Sequence, residues 1–326
     1  MNPFDYIRPA TVAEAVAAAA LPGSVYLAAG TNLIDLMKGG IVSPKRLVDV
    51  SRLPGLDRIE PLPDGGVRIG ARVRNADLAH DPTVSKRFPA VAEALLAGAS
   101  AQLRNAATIG GNLLQRTRCG YFRDVNTPCN KREPGSGCPA ISGANRTHAV
   151  LGTSDACVAT HASDVAVALV ALDAEIRLAS PSGSRTVRLG DFYRLPGNTP
   201  EVENDLRPGE LITEVVVPRL DWAARSTYVK VRDRQSYDFA LCSAAVALDI
   251  RDSRVADARV AVGGVATKPW RLESVEAALR GAPATAEAFE DAASVAAEGA
   301  RPLPGNGFKV SLLKRTVVRA LIEGSR

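Results

Sequence analysis

Four of the chain's five cysteines fall in one stretch that has little means of forming a core of its own. They are Cys119, Cys129, Cys138 and Cys157, with the spacing Cys-x9-Cys-x8-Cys-x18-Cys. Glycine and proline recur throughout the stretch and its apolar periodicity is weak, so burial of apolar side chains cannot order it alone. This predicts that a bound group or a set of crosslinks holds the segment.

Three kinds of site fit four such cysteines. Four thiolates from one irregular loop suit a [4Fe–4S] cluster. Zinc is the main alternative, but structural zinc sites usually use short Cys-x2–4-Cys pairs, so the wide spacing favours the bulkier cluster. Two disulfides are the third interpretation. It is disfavoured because the chain is long enough to fold without crosslinks and shows no secretory signal.

Basic residues crowd the same stretch, and their charge would offset the negative charge of a thiolate-ligated cluster. A solvated loop surface is the alternative interpretation. These residues are Arg116, Arg118, Arg123, Lys131, Arg132 and Arg146. The fifth cysteine, Cys242, lies instead in the apolar run FALCSAAVALDI, where we expect a small buried core residue.

Length and composition bound the class of protein. With 326 residues, 46% hydrophobic and 23% charged, the chain is expected to be a globular protein of two or three domains. We expect no membrane insertion, since no apolar run reaches transmembrane length. We also expect no export signal, because Pro3 and Asp5 stand where a signal peptide would carry basic residues. Net charge is only +5 and no nucleic-acid-binding module is evident, so nucleic-acid binding is not expected.

The hydrophobic pattern predicts an α+β fold. The first 54 residues alternate helix and strand signals, with Thr11 and Glu14 forming a capping box at the first helix. A second region contains a hairpin around Asp64-Gly65-Gly66, a helix in PAVAEALLAGA and, after the cysteines, a helix and strand in DVAVALVALDAEIRLAS. From about Trp222, strand signals and then three helix signals predict a separate C-terminal domain.

Three polar turns are candidates for ligand binding. Residues 27–34 read LAAGTNLI, where a strand enters, Gly30 turns and a helix leaves, so that backbone N–H groups suit a pyrophosphate. Residues 108–112 read TIGGN, whose glycines allow close backbone approach, and residues 159–164 read ATHASD. There is no Gly-x-Gly-x-x-Gly, so a Rossmann dinucleotide site is not indicated.

Together, the order and spacing of these turns resemble the FAD-binding subunits of the xanthine dehydrogenase family, the molybdenum hydroxylases, over the whole chain. The family's Gly-Gly-Thr-Asn phosphate loop is matched by residues 29–32, with Ala29 in place of its first glycine. TIGGN matches the second signature and Ser163-Asp164 matches the Ser-Asp pair. Lys230 in STYVKVRD resembles a later strand lysine of the family.

The resemblance implies an N-terminal FAD-binding region of two α/β subdomains, residues 1–54 and 55–220, of the PCMH or vanillyl-alcohol-oxidase type. It implies a C-terminal domain at 221–326, similar to that of CO dehydrogenase flavoproteins. No acid–base catalyst is expected, because the flavin carries the chemistry. The implied FAD-binding residues are Leu27, Ala28, Ala29, Gly30, Thr31, Asn32, Leu33, Ile34, Thr108, Gly111, Asn112, His161, Asp164, Ile212 and Lys230.

The cysteine segment, an insertion at about 113–158, narrows the resemblance. Most family members pass directly from the Gly-Gly-Asn turn to the Ser-Asp pair. The insertion is similar to those in the FAD subunits of bacterial periplasmic aldehyde oxidoreductases and of 4-hydroxybenzoyl-CoA reductases, and RTRCGYFRD and ATHASD resemble the former more. Both subgroups imply a [4Fe–4S] cluster beside FAD.

The resemblance implies one subunit of a heterotrimer. A large partner would hold the molybdenum cofactor and oxidise an aldehyde to an acid, a small partner would carry two [2Fe–2S] clusters, and this chain would pass electrons through FAD to an external acceptor. It would not oxidise aldehydes alone. A 4-hydroxybenzoyl-CoA reductase-like subunit and a flavin-free iron–sulfur scaffold are the alternatives. The implied location is the periplasm, reached by co-export with a partner, with the cytoplasm as the alternative.

Overall fold

The computed structural model describes all 326 residues and contains three sheets. The first sheet has three parallel strands in the order β1-β3-β2, with helices between them. Thr11 caps the first helix by accepting a hydrogen bond from Glu14 N at 3.1 Å, as its sequence predicts. The elements of this unit are β1 Asp5–Ile7, α1 Val12–Ala19, β2 Ser24–Leu27, α2 Leu33–Lys38 and β3 Arg46–Asp49.

The second sheet has five antiparallel strands in the order β4-β5-β8-β6-β7. Its strands are β4 Ile59–Pro61, β5 Val67–Gly70, β6 Glu175–Ser180, β7 Gly183–Arg188 and β8 Leu211–Val217. The helices of this region are α3 Asn75–His80, α4 Pro82–Arg87, α5 Pro89–Ala97, α6 Ala101–Ala106, α7 Ile109–Leu113, α8 Gly120–Arg123, α9 Asp164–Ala171 and α10 Leu189–Phe192. Residues 165–171 of α9 are all buried, which explains why its sequence is apolar on every face.

The third sheet is antiparallel, in the order β12-β11-β10-β9, and α13 packs on β9 and β10. Cys242 opens β10 and is completely buried, which confirms its predicted place in the core. The elements are β9 Ser226–Val231, β10 Cys242–Arg251, β11 Arg254–Gly263, β12 Trp270–Arg271, α11 Glu273–Leu279, α12 Ala286–Ala293 and α13 Phe308–Gly324.

These elements confirm the predicted α+β fold, including the antiparallel strands of the C-terminal region. The domain limits at 54/55 and 220/221 stay predictions. No helix combines the length and the apolar character that a membrane span requires. One local prediction was wrong: most of TIGGN is not a turn but the start of the short helix α7. Thr108 caps this helix by accepting a hydrogen bond from Gly111 N at 3.3 Å.

The cysteine insertion leaves the second region after α7 and returns to it before α9. Apart from α8 and a 3₁₀ turn at Pro139–Ile141, it is irregular. Phe122 and Cys129 pack with Leu36 and Ile41 of the first unit in a small apolar cluster. The insertion thus lies against the N-terminal unit at this end.

Candidate functional site

All four clustered cysteines line one small cavity. Cys129 and Cys157 are buried, Cys119 and Cys138 are partly buried, and all are free thiols. The structure therefore brings together the four residues that the spacing singled out, without the disulfides of the third interpretation. Since the wall is largely apolar, a charged group bound here would be shielded from water.

Backbone N–H groups near three of the four sulfurs lower the pKa values of these thiols and so partly offset the effect of burial. Such donors stabilise a thiolate, because N–H groups oriented at an anion form charge-assisted hydrogen bonds. They also match the hydrogen bonding that tunes cluster potentials in iron–sulfur proteins. The donors are Tyr121 and Phe122 for Cys119, Ala140, Ile141 and Val158 for Cys138, and Ala159 for Cys157, the last at 3.5 Å.

Burial opposes ionisation of these thiols in the absence of a bound cation. It raises the pKa of Cys119 to about 11 and also raises the pKa values of Cys138 and Cys157. A metal group must therefore displace protons as it binds, and the bond to metal supplies what the buried thiolates lack.

The four cysteines line one space. No set of three or more Cys, His, Asp or Glu side chains is arranged to hold a single metal ion. A zinc site would draw its sulfurs to about 2.3 Å from one centre.

Of the six basic residues near the cysteines, only Lys131 lines the cavity. Burial raises the pKa of Cys157, and the Lys131 charge partly offsets this effect. Lys131 is held by Glu203 at 3.1 Å and by the carbonyl of Pro200 at 2.8 Å. Of the six basic residues, only Lys131 is therefore placed to offset negative charge in the cavity.

Two of the other basic residues show structural contacts. Arg132 donates to the carbonyl oxygens of Tyr121 and Phe122 at 2.9 and 2.8 Å, which braces the α8 turn. Arg146 forms an exposed pair with Asp233, as the solvated-surface interpretation expects. These contacts order or solubilise the insertion without facing the cavity.

One cavity residue escaped the sequence reasoning. His148 Nε2 lies 3.2 Å from Cys119 Sγ, and the ring is buried. In the sequence, His148 is marked only by its position among the four cysteines. The spacing of these residues does not show which sulfur the histidine contacts. Only the folded loop reveals the contact.

The first polar turn, residues 27–34, faces the second, residues 108–112. Gly30 has φ +74°, and a Cβ there would lie 2.7 Å from Ile34 Cγ1, so glycine is required. A Cβ on Gly111 would lie 4.0 Å from the methyl group of Ala28. This close approach brings the two turns together as expected for loops that share one ligand.

Asn32 joins the first turn to the cysteine insertion. Its Oδ1 accepts from Arg116 N at 2.9 Å, while its Nδ2 is buried without a hydrogen-bond partner. A buried amide donor with no partner is costly unless a ligand satisfies it. The orphaned Nδ2 therefore fits a phosphate or carbonyl oxygen of a bound cofactor.

The second and third turns are joined through Asn112. Its Oδ1 accepts from Ser163 Oγ and from Gln115 Nε2, both at 2.7 Å. Ser163 also caps α9 by accepting from Ala166 N at 3.1 Å. The three turns thus form one continuous surface, although the Asn112 oxygen is occupied within the protein.

Asp164 and Lys230 form a buried ion pair. Lys230 Nζ lies 2.9 Å from Asp164 Oδ2, with side-chain exposures of 3% and 12%, and it also donates to Ala97 O at 3.2 Å. Tyr228 Oη donates to Asp164 Oδ1 at 2.6 Å. The pair links α9 to β9, and the predicted contacts of both residues with FAD stay predictions.

A groove runs past the third turn. His161 and Asp164 line it, as does Asp238 from the loop after β9. His161 meets the ring of Tyr193 edge-on at 4.6 Å, and burial lowers its pKa to about 4, so it is neutral at ordinary pH. Ile212 lies in the core of the second region and lines neither the groove nor the cysteine cavity.

The groove and the cysteine cavity share a wall. Cys119 and His148 line both spaces. A group bound by the cysteines would therefore lie next to a ligand in the groove, which is the arrangement needed for electron transfer between them.

Comparison with known proteins gives two family matches. Residues 2–220 match the FAD binding domain in molybdopterin dehydrogenase, and residues 227–323 match the CO dehydrogenase flavoprotein C-terminal domain. Together the two matches account for nearly the whole chain.

Individual proteins agree with these matches. The chain is 50% identical over 326 residues to the aldehyde oxidoreductase FAD-binding subunit PaoB of Escherichia coli strain K12, covering 99% of this chain and 98% of that protein. It is 31% identical over 321 residues to the glyceraldehyde dehydrogenase medium chain of Sulfolobus acidocaldarius, covering 98% and 95%. A carbon monoxide dehydrogenase structure from Hydrogenophaga pseudoflava matches with TM-score 0.76 and 28% identity over 98% of this chain and 97% of that one.

Proposed function

The chain belongs to the FAD-binding subunits of the CO dehydrogenase/xanthine oxidase family of molybdenum hydroxylases, and from this premise we propose that it transfers electrons in an aldehyde oxidoreductase. It is therefore a subunit of an oxidoreductase. The proposal adds a [4Fe–4S] cluster to the FAD and assigns oxidation of aldehydes to carboxylic acids to the assembled enzyme.

FAD supplies the redox chemistry, since a flavin can accept electrons singly and release them in pairs. The chain's own residues would bind and orient it. The two facing turns at 27–34 and 108–112 would admit its pyrophosphate, and the free Nδ2 of Asn32 would donate to it. Neutral His161 would present an uncharged ring edge in the groove.

The cluster is the finer part of the proposal. One observation carries it: four free cysteines surround one cavity, which shares a wall with the groove. Backbone N–H groups and the Lys131 ammonium would stabilise the added negative charge. Cys119, Cys129, Cys138 and Cys157 would be the ligands, and Cys119 would face the flavin side.

The aldehyde substrate is supported by the relative from Escherichia coli, whose name is that of an aldehyde oxidoreductase subunit. We propose that a large subunit holds the molybdenum cofactor and that a small subunit carries two [2Fe–2S] clusters. Electrons would then leave through this chain to an external acceptor. We further propose that a partner's export signal carries the complex to the periplasm, with the cytoplasm as the alternative location.

Two measurements test the proposal. The purified chain should show the two resolved visible bands of a flavin and contain about four irons per chain, as one [4Fe–4S] cluster requires. Aldehyde-dependent dye reduction should require the reconstituted complex and be absent from the isolated chain. A flavin-containing chain without iron would remove the cluster from the proposal, and substantial aldehyde turnover by this chain alone would overturn the division of labour.

A further inference from the structure

His148 occupies the wall between the cysteine cavity and the groove, and the proposed function does not account for it. The residue is 5% exposed, and its Nε2 lies 3.2 Å from Cys119 Sγ. Of the residues that line the cysteine cavity, only Cys119 and His148 also line the groove. The histidine therefore contacts the one sulfur that faces both spaces.

Contacts with the surrounding chain fix the position of His148. Its N–H donates to Asn145 O at 3.0 Å, and its carbonyl oxygen accepts from Asn306 Nδ2 at 3.3 Å. The ring packs at a tilt of 47° against Tyr121, with the centroids 6.2 Å apart. Because these contacts come from the protein itself, the ring is aimed at Cys119 before any metal binds.

The two ring nitrogens have different surroundings, which decides where a neutral ring carries its proton. Nδ1 is buried without a hydrogen-bond partner, whereas Nε2 faces the Cys119 sulfur. An unpaired buried N–H at Nδ1 would cost about 1–3 kcal/mol. The proton therefore belongs on Nε2, where it points at the sulfur.

From this geometry we propose that His148 is a positioning residue that donates its Nε2–H to the Cys119 thiolate and raises the reduction potential of the cluster. The inference rests on the proposed function, because it needs the cluster to be present. A reduced cluster carries one more negative charge than an oxidised one, so a hydrogen bond to its sulfur stabilises the reduced form more. The donor acts at the sulfur nearest the groove, where it biases electrons toward the cluster.

The test compares three variants of the full chain by iron analysis and by EPR-monitored redox titration. His148→Phe keeps a buried ring but removes the donor, so the ratio of reduced to oxidised cluster at a fixed potential should fall by up to about tenfold. For a one-electron couple, tenfold corresponds to about 59 mV. His148→Gln can place an amide N–H near the position of Nε2 and should recover most of the wild-type potential.

His80→Phe is the matched control, because it makes the same substitution at an exposed histidine of α3 that lines neither the cysteine cavity nor the groove. Its potential should equal that of the wild type. An unchanged potential in His148→Phe, or equal shifts in His148→Phe and His148→Gln, would overturn the inference while leaving the cluster intact. Loss of iron from both histidine variants would assign His148 a structural role instead. Absence of iron from the wild type would defeat the proposed cluster itself, so the two failures are distinguishable.

Discussion

The cysteine insertion at 113–158 and the C-terminal sheet with its helices hold their structures in opposite ways. The C-terminal region is built around 24 buried apolar residues, mostly from its own strands and helices. The insertion contributes only Phe122 and Cys129 to a four-residue apolar cluster and is otherwise irregular. Burial of apolar surface stabilises the first region, whereas the second depends on contacts with neighbouring regions and, in the proposed function, on ligation of a cluster.

The insertion makes several of its stabilising contacts with the C-terminal region. Val150 and Leu151 of the insertion are part of its core, and Val150 O accepts from Arg301 N at 2.7 Å. Lys309 of α13 donates to Thr147 O at 2.9 Å and to Gly264 O at 2.7 Å. The C-terminal region thus anchors residues 147–151 near the end of the insertion.

The largest effect should come from removing a thiol of the insertion, with removal of the thiol in the C-terminal region as the control. Cys129→Ser should abolish the cluster, because serine is a poor substitute for a soft thiolate ligand. Cys242→Ser should keep the cluster, since Cys242 is a core residue near the Thr316 hydroxyl and lines neither cofactor space. Iron analysis and EPR of the reduced protein distinguish the two variants. Four irons persisting in the Cys129 variant would remove that residue from the ligand set.

A second substitution breaks the ion pair by which the C-terminal sheet meets the third polar turn, residues 159–164. Asp164→Ala leaves the Lys230 ammonium buried with only the carbonyl of Ala97, so the free energy of unfolding should fall by about 3–5 kcal/mol. From the motif alone we expect only a loss of flavin from this variant, but the buried pair adds a loss of stability. Denaturant unfolding measures it.

The double variant Asp164→Ala, Lys230→Met is the control for this second prediction. It should regain much of the lost stability, because no charge is then left unpaired in the interior. If the single variant were as stable as the wild type, the pair would not be a structural link between α9 and β9.

The smallest effect concerns the contact of Lys309 with the end of the insertion. Burial lowers the pKa of Lys309 from 10.5 to about 8. Between these pH values the unfolded chain binds a proton that the folded chain does not, so the Lys309 contribution to stability rises with pH. The slope should reach about 1.4 kcal/mol per pH unit.

The measurement is the free energy of unfolding of wild type minus Lys309→Met at several pH values. The difference should shift in favour of the wild type as the pH rises from 8 to 10.5. A difference that does not vary with pH would show that the amine is not held neutral by burial.

Sequence patterns predicted the elements whose local signals agree with their surroundings. The apolar period and the Thr11 cap give α1, and DVAVALVALDAEIRLAS gives α9 followed by β6. The sequence also predicted that the four cysteines lie together, because cysteine thiols bind metal groups by their own chemistry. In each case the local pattern already contains the property that the fold uses.

The remaining features depend on contacts between distant segments. The strand β8, at the centre of the second sheet, was not predicted, and its pairing with β5 and β6 joins residues far apart in the chain. His148 next to Cys119 and Lys230 next to Asp164 depend equally on long-range packing. Sequence spacing carries no information about such neighbours, so only the folded chain reveals them.

The anchoring of the insertion by α13 has a consequence for synthesis on the ribosome. Lys309, which holds Thr147, follows Cys157 by about 150 residues. At about 5–20 residues per second, the cysteines leave the ribosome roughly 8–30 s before that helix is made. During this interval the proposed cluster ligands would be open to oxidation or to capture of the wrong metal, so the timing of translation would set how long loading of the cluster competes with damage.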